Sequence, residues 1–147
     1  MRRTAHVGAP VKPQLKRALL ALVAGLAAWV LVATVLNVAL RLALPGYAAG
    51  EPTMTFTRGM LIARLAIAVI TSLAAGATTA LIAPRSAGVP WTLGVLLLVM
   101  FVPEHLKLWH VFPVWYHLTF LVTLAPLILI GWRLWLLRAG PRHSEGR

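Results

Sequence analysis

Four apolar runs, each long enough to cross a lipid bilayer as a helix, leave this chain little choice of fold. The first, Ala18 to Leu40, carries no charge over 23 positions. At about 1.5 Å per residue it exceeds a hydrocarbon core of roughly 30 Å. The second runs from Gly59 to Ala83 with Arg64 as its single charge, the third from Trp91 to about His110, and the fourth from Val114 to about Trp135. Hydrophobic residues make up 60% of the chain and charged residues only 12%, which argues against a water-soluble domain. The expected fold is an all-α membrane protein with four transmembrane helices in an up-down bundle of two hairpins.

Punctuation between the runs supports this division. Residues 1–17 form a basic arm containing Pro10 and Pro13, residues 18–136 the four-helix domain, and residues 137–147 a basic tail. The longest connection, Arg41 to Arg58, is broken by Pro45-Gly46, Gly50 and Pro52, residues that stop helices and favour turns. Pro84 to Pro90 make a tight turn, so the second and third spans are expected to be antiparallel neighbours. Pro103 falls inside the third span; the helix must continue through it to be long enough, with a kink there. A cleaved signal is the competing reading of the start, but the first apolar run is too long and no small-x-small site follows closely. The first span is therefore expected to be uncleaved.

Positive residues near span ends are retained in the cytoplasm. Arg2, Arg3, Lys12, Lys16, Arg17, Arg85, Arg133, Arg138, Arg142 and Arg147 share one side, against Arg41, Arg58, Arg64 and Lys107 on the other. Both termini are thus expected to be cytoplasmic. Trp109, Phe112, Trp115 and Tyr116 make an outer aromatic belt, and Trp91, Trp132 and Trp135 an inner one. The excess of Arg over Lys, with abundant Ala and Leu, fits a GC-rich bacterial coding bias and hence a cell inner membrane.

The formal charge of +11 does not point to nucleic acid, because the basic residues flank apolar runs. Anionic lipid headgroups are their expected partners. With no cysteine, thiolate metal sites, cysteine nucleophiles and disulfides are excluded. Glycine-rich phosphate loops and dinucleotide fingerprints are also absent from the sequence.

Helices in lipid associate by close packing and interhelical hydrogen bonds, since lipid tails are as apolar as leucine. Ser72, Gly76 and Ala80 recur every four residues in the second span and mark a smooth packing face. A conduction path lined by small residues is the functional alternative for that face.

The polar residues fall in one layer. Glu104 and His105 lie in the outer third of the third span, Arg64 in that of the second, and His117 near the start of the fourth. The turn between the last two spans centres near residues 111 and 112, which puts His105 and His117 at similar heights. Asn37 and Arg41, four residues apart at the outer end of the first span, can face the same way. Arg64 with Glu104 reads first as a structural ion pair, and alternatively as a proton or anion relay. His105, His117 and Glu104 are the candidate metal ligands, and a haem between the two histidines is the other cofactor reading. The spacings lack a tight ligand motif, so no cofactor is expected, and Ser72, Ser86 and Ser144 give little support to hydrolysis.

The sequence therefore implies a non-enzymatic accessory or self-associating membrane subunit, partnered by itself or by another membrane protein. The alternative is ion, proton or small-ligand handling, or metal or haem binding, at the polar cluster near the extracytoplasmic face.

Overall fold

A computed structural model describes residues 11–140. The terminal segments holding Arg2, Arg3, His6, Arg142, His143, Ser144 and Arg147 lie outside the described residues. Five helices follow one another: α1 (Val11–Ala43), α2 (Tyr47–Gly50), α3 (Arg58–Ile82), α4 (Gly88–Lys107) and α5 (Val114–Ala139). No strand occurs among the described residues. α1, α3, α4 and α5 are long and apolar enough to span a membrane; even α4, with 20 residues, rises about 30 Å.

Local chemistry sets the boundaries. α1 extends back to Val11, into the segment read from sequence as an arm, because Pro13 occupies the first turn, where a missing N–H breaks no helical bond. It stops before Pro45-Gly46, and Gly46 adopts φ 77°, a left-handed conformation that glycine accepts without steric cost. Thr57 caps α3, its hydroxyl accepting from the Met60 N–H at 3.3 Å, and Pro84 prevents α3 from continuing. α4 starts three residues before the expected Trp91 and ends at Lys107 rather than His110. It runs through Pro103, as α5 runs through Pro126.

The four long helices form a ring in the order α1, α3, α5, α4, back to α1. α3 and α4, joined by the 83–87 turn, lie across the ring and barely touch. The expectation that they would be close neighbours is corrected by glycine chemistry. A Cβ built on Gly76 runs into the Ile128 carbonyl and sits 2.8 Å from the Trp132 nitrogen; one on Gly131 runs into the Leu73 carbonyl. α3 and α5 therefore touch backbone to backbone, a contact no larger residue permits. Ser72, Gly76 and Ala80 are all buried by the chain's own helices, so this small face is not left free for a second copy.

Within the ring, Ala75, Leu93, Leu97, Phe120, Leu124 and Ile128 form one continuous apolar core. Ala21, Ala83 and Val89 close the proximal end, near the 83–87 turn. Leu61, Phe112 and Tyr116 close the distal end, beneath the 44–57 and 108–113 connections. The outside is also apolar: Val23, Leu31, Val99 and Val122 are each more than 60% exposed.

Replacing Gly76 or Gly131 with alanine is expected to destabilise the fold by about 1 to 3 kcal/mol, the usual cost of overpacking. Gly88→Ala meets nothing within 4 Å and is the control. Denaturant titration of the three variants in mild detergent checks the ordering.

Candidate polar site at the distal end

Arg64 stands two turns into α3, and its guanidinium turns toward the distal end of the ring. Its Nη1 donates to the Tyr47 hydroxyl at 2.8 Å and its Nε to the Tyr116 hydroxyl at 3.3 Å. Phe56 lies under the same group, 4.9 Å from ring centroid to guanidinium carbon, within cation–π range. Tyr47 comes from α2 and is fully buried, and Tyr116 from α5 is 5% exposed. One cation thus ties α2, α3 and α5 together, with two neutral phenols as acceptors.

The histidines form the adjoining part of the layer. His105 on α4 and His117 on α5 meet with their Nδ1 atoms 2.8 Å apart. The ring planes are nearly perpendicular at 83°. Trp109 stacks on His117 at 4.9 Å, Phe120 lies 4.6 Å from His105, and Tyr116 stacks against His105 at 6.0 Å. Tyr116 therefore joins the arginine and histidine halves.

A hydrogen bond between two imidazoles requires one donor and one acceptor. His117 Nε2 is buried without a partner among the described residues. An orphaned donor is rarer and costlier than an orphaned lone pair. His117 is accordingly assigned the Nδ1–H tautomer, donating to His105 Nδ1, which leaves a bare lone pair at its own Nε2. His105 then carries its proton on Nε2.

Other residues expected in the layer go elsewhere. Glu104 is exposed and pairs with Lys107 at 2.8 Å, so no Arg64–Glu104 ion pair forms. Successive helical residues point about 100° apart; with His105 turned inward, Glu104 must face out. Arg41 bonds Glu51 at 2.7 Å, and the Asn37 amide donates to the Ala33 carbonyl one turn back. His110 is exposed.

These placements bear on the metal and haem readings. Glu104 faces away from His105 and His117, and no group of three potential ligands assembles among the described residues. The two imidazoles touch each other, leaving no space between them for a porphyrin. Ser72, buried with its hydroxyl unpartnered, lies two turns beyond Arg64 along α3, roughly 12 Å of helix rise away from it.

Tyr47 and Phe56 were not singled out by sequence reasoning. Both sit in the long connection, where no periodicity assigns an inward side. In the sequence Tyr116 stands out only as part of an aromatic belt, although its position beside His117 places it at the right depth.

Removing one phenolic hydroxyl is expected to cost about 1.5 to 3 kcal/mol, the range for hydrogen bonds to charged groups. Tyr47→Phe should cost more than Tyr116→Phe, because its bond to Arg64 is shorter. Unfolding titrations of the two variants test that order. Comparison of the chain with family models, with curated proteins and with solved structures finds no match.

Proposed function

We propose that the chain is a non-enzymatic accessory subunit of a cell inner membrane. In this reading it crosses the bilayer four times as an up-down bundle with both termini in the cytoplasm. Its distal polar layer serves to fasten the helix ends. The observation that carries this reading is where the polar side chains are engaged: Arg64 binds phenols from two other helices, and His105 binds His117 across α4 and α5.

Several further observations support it. The large apolar side chains left outside on every long helix suit contact with lipid. Below the histidines the packed clusters are apolar. Of the buried hydroxyls there, Thr71 and Thr79 donate to carbonyls of their own helix and Ser72 stands alone, which disfavours a continuous polar path along the ring. The small face of α3 is already occupied, so association with another membrane protein or with a second copy has to use a different surface. α1 is the natural one, since it is the least buried of the four long helices.

A second reading, proton handling at the histidines, is favoured by the unpartnered His117 Nε2 beside a hydrogen-bonded imidazole. Proton flux into proteoliposomes separates the two. The accessory reading expects none above empty vesicles; a flux abolished by His117→Gln in a folded protein would replace it with the second.

Reporter fusions test the topology, with both termini expected on the cytoplasmic side and the 44–57 and 108–113 connections outside. Termini on opposite sides would overturn it. Glu104→Gln is expected to leave folding yield unchanged within experimental error, because an exposed ion pair contributes about 0 to 1 kcal/mol. Arg64→Gln is expected to lower the yield severalfold, because both phenols lose a charged donor.

A further inference from the structure

The described residues hold only two acids, Glu51 and Glu104, and each already has a cation. Of the four basic residues at the distal end, Arg41 and Lys107 are paired, while Arg58 and Arg64 have no carboxylate among the described residues. Both unpaired guanidiniums belong to the first two turns of α3. Positive charge is therefore concentrated there without a counter-ion among the described residues.

A groove of about 660 Å³ opens at the same place, between the end of the 44–57 connection and the 108–113 connection. Phe56, Leu61, Phe112 and Trp115 supply its apolar wall, and Thr53, Thr55, Thr57 and Arg58 its polar rim. Thr53 and Thr55 share a hydrogen bond of 2.7 Å between their hydroxyls, and the Thr53 hydroxyl also lies 3.5 Å from the Gly50 carbonyl. This pair therefore has at most one proton for a ligand, while Thr57, which accepts from the Met60 N–H, keeps its own. Phe56 divides the groove from Arg64, whose guanidinium lies on its ring. No acid lines the groove.

We infer that this groove binds one anionic glycerophospholipid, its phosphate against Arg58 and the threonine hydroxyls. The inference rests on the four-span reading given above. A cation beside hydroxyl donors matches a phosphate oxygen shell. Leu61 and Phe112 are already buried by the protein, so the surface a ligand can cover is that of the partly exposed Phe56 and Trp115 rings. Free phosphate would satisfy Arg58 without covering those rings. A lipid does both, because the wall continues down α5 into Val114 and Leu118, each about half exposed, along which an acyl chain can lie. Trp115 stands at the junction of wall and headgroup, the depth that indole rings favour at a membrane boundary. Surface basic residues attract anionic lipid diffusely; the distinguishing feature here is one cation set in a concave amphipathic site.

The full chain in mild detergent, titrated with dioleoyl phosphatidylglycerol or dioleoyl phosphatidylcholine and read by native mass spectrometry, tests this. The wild type is expected to retain one phosphatidylglycerol roughly fivefold more tightly than phosphatidylcholine, the scale of one basic side chain acting on an anionic lipid. Arg58→Gln should abolish the preference and Arg58→Lys should keep most of it. Arg85→Gln, which removes an exposed cation at the proximal end, should leave it intact. Inorganic phosphate at millimolar concentration should not displace the lipid. Equal retention of the two lipids, a preference that survives Arg58→Gln, a preference lost equally in Arg85→Gln, or displacement by phosphate alone would each overturn the assignment. The reporter fusions report the four-span reading separately, so failure of one is distinguishable from failure of the other.

Discussion

The backbone contact between α3 and α5 is the constraint on which the other features depend. On the proposed membrane reading, apolar burial gives no net drive to helix association, and the pair that can approach most closely sets the arrangement. Gly76 faces the Ile128 carbonyl and Gly131 faces the Leu73 carbonyl; each glycine removes the side chain that would hold the other helix off. With α3 bound to α5 on one side and to α1 on the other, α4 can fill only the position between α5 and α1. The same pairing puts Tyr116 beside Arg64 and so builds the polar layer.

Arg64 is held in an unusual way for a cation in an apolar span. A carboxylate partner would neutralise it, but at the cost of removing two charges from water. Phenols avoid the second charge. They accept hydrogen bonds from the guanidinium, while Phe56 supplies the negative face of a ring. The excess positive charge is left at the distal end of the ring, where the proposed anionic lipid would balance it. The Arg64 contacts and the proposed lipid groove would in this sense be two sides of one electrostatic arrangement.

The number and placement of the long helices were legible in the sequence, because a charge-free run such as Ala18 to Leu40 has few other solutions. The equal depth of His105 and His117 was legible too, since both stand six residues from Val111. The ring order was not. It depends on Gly131 meeting α3, and a lone glycine in an apolar helix carries no signal of which neighbour it faces. Charge pairing points from Arg64 to an acid, yet Glu104 adjoins the inward-facing His105 and points out, pairing with Lys107. Tyr47 lies in a connection held by the Arg41–Glu51 pair and the left-handed Gly46, features that become apparent only once the chain is folded.

Carbon-13 correlation spectra of the labelled protein in lipid bilayers address the α3–α5 contact most directly. Labels on glycine Cα and on isoleucine and leucine carbonyls should give through-space correlations between Gly76 and Ile128 and between Gly131 and Leu73. Their absence in well-resolved spectra of folded protein, or correlations placing α3 against α4 at those depths instead, would contradict the arrangement from which the polar layer and the groove both follow.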